Sequence, residues 1–550
     1  MKKMIILFGI MALGLVLAAC GGGGGGAAAD PIALVGTDEI FRIPLDTEGE
    51  ITIMMWSGSG TFIEDAGRRN ITPDELFAQN DAAMVASARA FNQIFPNIQI
   101  NVYAREGGPN ANYISWDQYR QNFQMEFGHY PDIFAVYNLV DDVMRGLVAD
   151  LSIFHDDPMM QAFNPAVMEL MNIGGRQFGI PQYLLPWGVF VNRSLAEARN
   201  LDMPSPQWTF DEYMRFVNNH SPGDFYGAMG APRLFIDSGT RDFHYQIMNR
   251  QEGEPFVNLN SDAVRGMLAR MPETVQHTVW TRNALGLIDP EFMDAHWWWG
   301  HRFFQQGRLL VNPGDPWMMG DLAQPGTDGT ATMADWDIFP RPATAYVGNH
   351  VGIVLDPFAI YNFAMLDGDP LLNEYEYHRL SIAWTFAKFM TGDTRAWEAR
   401  STQLYSPGDG GQRIAANDSF PFVMGQAFDD QMELWYAGGR SRFADPHLMP
   451  GFHYMLELWQ DGAFTPFSDK AVPWRHEFDG VVRLIAYEWN HIYADRVAGV
   501  TDMDPAWLDM VLSRLPDWNN DINARFADAF VELYAAIEQF YPEQTRPSLQ

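Results

Sequence analysis

The chain has 550 residues and carries 36 basic and 69 acidic side chains, a formal net charge of −33. Such a surface repels phosphate backbones, which excludes nucleic acid as an expected partner, and it offers no electrostatic grip on anionic lipid head groups. With 47% hydrophobic and 14% aromatic residues the chain can bury sizeable cores, and at this length it is expected to build more than one.

Lys2 and Lys3 precede an apolar stretch from Ile5 to Leu17, which Leu17-Ala18-Ala19-Cys20 closes with small residues before a cysteine. The stretch is too short to cross about 30 Å of hydrocarbon as a stable helix, so residues 1–19 read as an export signal. Cys20 stands where bacterial lipoproteins carry the thiol that receives a diacylglycerol. Lipidation of Cys20 is therefore expected, with a cell-membrane location on the extracytoplasmic face. As the only cysteine, it leaves no disulfide within the chain. Gly21 to Gly26 and Ala27 to Ala29 cannot build a core, and residues 20–50 read as a lipidated cysteine on a flexible tether.

Ile51 to Trp56 is a continuous apolar run leading into Ser57-Gly58, the pattern of a buried parallel strand entering a loop. Met84, Ala88, Phe91 and Phe95 recur at helical spacing until Pro96-Asn97, and Ile98 to Tyr103 is the next strand. A helix over Trp116 to Phe127 and a strand over Ile133 to Tyr137 complete a βαβαβ unit, which implies a parallel sheet covered by helices. Residues 177–192 break the rhythm with two extended stretches around Pro181 and Pro186. Thr209 with Glu212 forms a capping box for a helix. From about 195 to 335 helix dominates, with short strand candidates such as Arg308 to Asn312. Residues 335–361 are extended again, and helices dominate from Glu374 onward. Ile522, Phe526, Phe530, Leu533, Ile537 and Phe540 form an amphipathic face on the last of them. The expected fold class is α/β, with two lobes joined by a multi-strand hinge and a ligand cleft between them. The divisions are 51–190 for the N-terminal lobe, 191–340 for the C-terminal lobe, and 341–550 for a hinge re-crossing with helices contributing to both.

Six stretches in order carry a family resemblance: ITIMMWSG, ARAFNQIFPNIQINVY, YPDIFAVYN with RGLVADLS, GGRQFGIPQ with GVFVNRSL, QQGRLLVNPGDPWMMG, and WTFAKFMTGDTRAWEAR. With them the chain resembles the extracellular solute-binding proteins of carbohydrate ABC importers, the broad family that includes maltose-binding protein. The resemblance implies the periplasmic-binding-protein-like fold, lobe closure around a small polar ligand such as a sugar or oligosaccharide, and delivery to the transmembrane permease subunits of the importer. It also implies no enzyme activity, no cofactor and no metal, a monomer, and contact with the membrane through the lipid anchor only. By motif position it places Trp56 and Ser57 at the cleft rim, Tyr137 and Asn138 at the end of PDIFAVYN, Leu184 to Trp187 in the pocket, and Trp317 as a sugar-stacking aromatic. His350 and Asp356 flank the late hinge strand. An apolar LLPWG stretch stands where the maltose-binding relative has an acidic sugar ligand.

Sugars present flat apolar faces rimmed by hydroxyls, and the 18 tryptophans and 20 tyrosines supply platforms for them. His296 to His301 frames three tryptophans, but histidines five apart do not share a helix face, so the stretch reads as helix packing. Asp517 to Asp521 imitates an EF-hand start but lacks the turn glycine at position six, and reads as a helix start. Asp141-Asp142 and Asp156-Asp157 read as helix N-terminal carboxylates. Peptides or other polar solutes, a ligand-sensing role on the same fold, and a surface glycoside hydrolase with two cleft carboxylates are the alternatives.

Overall fold

The structure, a computed structural model, describes residues 43–55, 62–71, 79–104, 116–136, 138–218, 225–228, 253–275, 279, 303–304, 306–314, 335–405, 414–415, 417, 419–438, 440–469 and 505–542. The first lobe begins with β1 (Gly49–Met55), the short β2 (Phe62–Ile63), α1 (Gln79–Asn92), β3 (Ile98–Ala104), α2 (Trp116–Phe127), β4 (Ile133–Ala135) and α3 (Leu139–Met144). β1 pairs in parallel with β3 and with β4, as the βαβαβ reading requires. A small hairpin of β5 (Asn172–Ile173) and β6 (Arg176–Gln177) leads to β7 (Ile180–Val191). The two extended stretches expected around Pro181 and Pro186 are one twelve-residue strand, because both prolines face a paired neighbour and the strand runs through them.

The second lobe holds α4 (Phe210–Asn218), α5 (Asp262–Val275), β8 (Val311–Gly314) and β9 (Asp337–Phe339). The capping box at the start of α4 is formed: the Thr209 backbone N–H donates to Glu212 Oε2 at 2.7 Å and the Glu212 N–H to Thr209 Oγ1 at 3.2 Å. These bonds hold the Glu212 carboxyl below the usual range. The strand expected over Arg308 to Asn312 starts later, at Val311, while Leu309 makes only an isolated bridge to Tyr226.

The return is made by β10 (Val351–Ile360), followed by α6 (Glu374–Gly392), α7 (Thr394–Thr402), the β11–β12 pair (Leu404–Tyr405 and Ile414–Ala415), α8 (Gln426–Ala437), α9 (Pro450–Gln460), β13 (Phe464–Asp469) and α10 (Pro505–Phe540). β13 interrupts the helices expected from Glu374 onward; it lies parallel to β10. One sheet of nine strands results, ordered β2-β3-β1-β4-β10-β7-β8, with β13 also on β10 and β9 also on β7.

Two hydrophobic cores flank this sheet. The larger takes β1, β3, β4, α1, α6 and α7; the smaller takes Trp208, Tyr213, Val264, Leu268 and the alternate residues Val189 and Val191 of β7. Phe190, between those valines, belongs to the larger core, as the two-residue period of a strand demands. Carboxylates join the pieces. Asp157 caps the helix over Pro158–Ala162, receiving the Met159 N–H at 2.9 Å, Lys388 Nζ at 2.7 Å and Trp384 Nε1 at 2.9 Å, all of it buried. Asp142 holds Arg120 through two bonds of 2.7 Å. Asp337 of β9 accepts the N–H groups of Gly451 and Phe452 at the start of α9, at 2.8 and 3.3 Å.

Asp517 does not start a helix. It lies inside α10, whose N-terminal turns continue because Val511 and Leu515 are buried in the smaller core. Pro516 has no N–H for the Leu512 carbonyl, the bond an α-helix would otherwise make, and Arg265 Nη2 donates to that carbonyl instead at 3.3 Å.

Two outcomes check this packing. Lys388→Met strands the buried Asp157 charge and is expected to cost about 3–5 kcal/mol in a urea titration. Burial pushes the Asp337 carboxyl up to about 6, from an unfolded value near 4, against the backbone N–H bonds that lower it. The folded state therefore holds this proton more tightly, so the group's contribution to stability is complete below pH 4 and is lost as pH rises through 6. Relative to Asp337→Asn, the wild-type chain should lose roughly 2–3 kcal/mol between pH 4 and pH 7 by denaturant midpoint.

Candidate functional site: the floor between the two cores

β7 and β10 are the two strands that pass from one lobe to the other. β10 pairs with β4 at residues 358–360 and with β7 at 352–358, while β7 goes on to pair with β8 and β9 at 188–191. The β7–β10 register slips between Asp356 and Pro357, where Pro357 lies opposite Pro181. Neither proline has an N–H, so neither donates to the ladder at this slip.

Residues that face each other across an antiparallel pair share a face of the sheet, which sorts this segment into two. Leu184 with Leu355, and Pro186 with Ile353, form one face; Leu184, Ile353 and Leu355 are all in the larger core. Tyr183 with Asp356, Leu185 with Val354, and Trp187 with Gly352 form the other. Tyr183, Leu185, Trp187 and Val354 belong to neither core; Tyr183 and Leu185 are buried, and Trp187 and Val354 are half-buried. This second face is an apolar and aromatic floor between the two packed bodies.

Several strand ends converge on it. β4 stops at Ala135, beside Phe358, and the Val136 N–H donates to the Pro357 carbonyl at 3.1 Å. β13, parallel to β10 on the same edge, ends at Asp469 opposite Leu355, with Ser468 in register with Val354 and Thr465 with Gly352. β8 ends at Gly314 opposite Gly188, next to Trp187. β1 ends at Met55, one strand away from the end of β4. Polar residues thus stand in register alongside an apolar floor. Gly352 keeps the floor low near Trp187: a Cβ there would stand 2.7 Å from the Arg341 guanidinium, whose side chain lies against this strand.

The residues named from sequence fall into three groups. Trp56, Ser57, Tyr137, Trp317 and Cys20 lie outside the described residues, as does the His296–His301 stretch. β4 ends beside Phe358 of β10 and β8 opposite Gly188 of β7, whereas β1 pairs with β3 and β4. Trp187 stands on the floor, and Asp356 holds a register position on it opposite Tyr183. Leu184, Asn138 and His350 are turned to structural partners. Leu184 points into the core; Asn138 caps α3, accepting from the Asp141 N–H and donating to Asp141 Oδ2 at 2.6 Å; His350 is buried, its Nδ1 3.0 Å from the Gly348 carbonyl oxygen. Asp141 sits in the first turn of α3, as the helix N-terminal reading expects.

Sequence reasoning missed Tyr183, Leu185 and Val354. The signal was present in IPQYLLPWGVFV, where alternation places 183, 185 and 187 together once the stretch is taken as one strand across its prolines.

No protein-family model matches the chain, and no curated protein matches it. Solved structures do. The fold is similar to an ABC substrate-binding protein from Listeria monocytogenes in complex with cycloalternan, at 14% identity and TM-score 0.53, over 88% of this chain and all of that one. A sugar transporter protein from Rhizobium etli in an open conformation matches at 13% identity and TM-score 0.53, over 86% of this chain and 99% of the other. A cyclic alpha-maltosyl-1,6-maltose binding protein from Arthrobacter globiformis matches at 15% identity and TM-score 0.51, over 87% and 99%. The chain has the two-lobe, periplasmic-binding-protein-like α/β fold that these proteins share.

The two faces predict a split between neighbouring residues. Leu184→Ala should cost about 2–5 kcal/mol of stability by denaturant melt, as a large-to-small change in a core. Trp187→Ala should leave the melt within about 1.5 kcal/mol, because its ring is not enclosed by either core.

Proposed function

We propose that this protein is the solute-binding component of an ABC import system, which captures a sugar or oligosaccharide between its lobes and passes it to the membrane permease. The observation that carries the reading is the floor of Tyr183, Leu185, Trp187 and Val354. It belongs to neither core, lies where the chain passes between lobes, and has Thr465, Ser468 and Asp356 in register beside it. An apolar and aromatic platform beside strand positions that carry polar residues suits a pyranose, whose flat face is apolar and whose rim is polar. The cycloalternan complex of the Listeria protein and the maltosyl-maltose specificity named for the Arthrobacter protein support the same ligand class on the same fold.

Binding across a hinge supplies the signal to the permease. A ligand held by both lobes favours the arrangement in which both touch it, by the difference in its affinity for the two arrangements. Capture and release of this kind need no bond to be made or broken, and the reading assigns no catalytic residue. Cys20 would carry the lipid anchor, keeping a monomeric receptor on the extracytoplasmic face of the cell membrane.

Two measurements test the reading. Maltotetraose and a cyclic α-glucan at millimolar concentration should raise the melting temperature, since a ligand that binds only the folded chain stabilises it by mass action. The Trp187→Ala variant should lose that shift with its own melt nearly unchanged. Stabilisation by peptides and by no sugar would overturn the ligand class, and release of shortened glucan would overturn the non-catalytic role. In cells, Cys20→Ala should move the protein from the membrane fraction to the soluble one.

A further inference from the structure

α10 is a single helix of 36 residues, about 54 Å long, and its two halves pack on different lobes. Val511, Leu515, Ile522 and Phe526 are buried in the smaller core with Val257, Leu259 and Val264. Polar bonds add to this grip. Asn519 Oδ1 accepts the Leu259 N–H at 2.9 Å, and Asn523 both accepts the Val257 N–H at 3.1 Å and donates to the Val257 carbonyl at 2.9 Å. Arg265 of α5 holds the Leu512 carbonyl.

The other half grips the first lobe. Leu533, Ile537 and Tyr541, just past the helix end, are buried in the larger core. The Tyr541 hydroxyl donates to the Val143 carbonyl at 3.2 Å, and its ring meets Phe178 edge-on at 4.8 Å between centroids. Gly174 and Gly146, both at positive φ, sit so close that an added Cβ would stand 2.8 Å from Ile537 and from Phe540 respectively. Phe530 is at the changeover: it packs against both cores and stacks on Phe256 at 4.9 Å.

We propose that α10 is a tie between the lobes, a rigid strut anchored at both ends that sets how far they rotate about the β7–β10 strands. Close-packed contacts of this kind do not deform continuously; they keep one arrangement or give way to another. The first-lobe anchor also grips α3, the helix that Asn138 caps directly after the end of β4, so the tie connects α3 to α5 of the second lobe. The inference rests on the proposed capture mechanism only in that the lobes move, and its test contains no ligand.

The chain's single cysteine makes the test direct. With Cys20→Ser as background, spin labels at Gln93→Cys in the first lobe and Asp202→Cys in the second report the inter-lobe distance by pulsed electron resonance. Asp528→Pro, at an exposed position between the anchors, breaks the strut while leaving both anchors in place; Ala527→Gly/Asp528→Gly serves if the proline variant does not fold. The expected result is a distance distribution at least about twofold wider than in the parent. Leu533→Ala/Ile537→Ala and Asn519→Ala/Asn523→Ala, which loosen opposite ends, should each widen it, and their combination should widen it no further than the helix break does. The control Val531→Ala, on the exposed side of α10, should leave it unchanged. An unchanged width in the folded helix-break variant would overturn the proposal, as would widths that simply add when both ends are loosened. Failure to bind any sugar would bear on the proposed function and not on this result.

Discussion

The structure depends on one pair of strands. β7 and β10 run antiparallel through both halves of the molecule, and each half of the sheet is built by adding strands to one end of this pair: β4, β1, β3 and β2 at one end, β8 and β9 at the other. α6 packs on both strands, and Leu184, Ile353 and Leu355 join the larger core with it. The consequence is a stretch of sheet with one face in the larger core and the other in neither core, and that second face is where an apolar and aromatic floor lies.

The chemistry of the pair suits the position. A sheet interior normally excludes proline, since each one removes a ladder donor. Here Pro181 faces Pro357 at the register slip, and Pro186 faces Ile353. These prolines lack a ladder donor in this segment, while buried ion pairs such as Asp157 with Lys388 and Asp142 with Arg120 lie elsewhere in the first lobe. α10 adds a second connection between the lobes, of a different kind: strands bend where their ladder is thin, whereas a helix keeps its length. The two connections together define which relative motions are cheap.

Much of the fold was legible because local signals and burial agree there. ITIMM is a continuous apolar run, the Met84–Phe95 helix shows clear periodicity, IQINVY reads as the next strand, and the parallel unit they form follows from handed βαβ connections. The Thr209–Glu212 box was legible for the same reason, since its bonds span three residues. The signal failed where a distant partner overrides a local breaker. Asp517 to Asp521 reads as a helix start, yet the helix runs through it and through Pro516 because the smaller core takes Val511 and Leu515 and because Arg265, some 250 residues earlier, holds the Leu512 carbonyl. The prolines of β7 read as breaks because no pattern in a single strand shows that β10 lies beside it.

By itself the sequence determined the α/β class, the order of β1, α1, β3, α2 and β4, the likeness to solute-binding proteins, and the expectation of an anchored, exported chain from Leu17 to Cys20. Only the tertiary structure decided which side of β7 is core and which is floor. It assigned Leu184 to the first and Trp187 to the second, and turned Asn138 and His350 to backbone and cap partners. The reason is physical: a strand's alternation says that neighbours face opposite ways, but which way is inward depends on what packs against it, and here that is set by β10, by β13 and by two cores that each draw on widely separated parts of the chain.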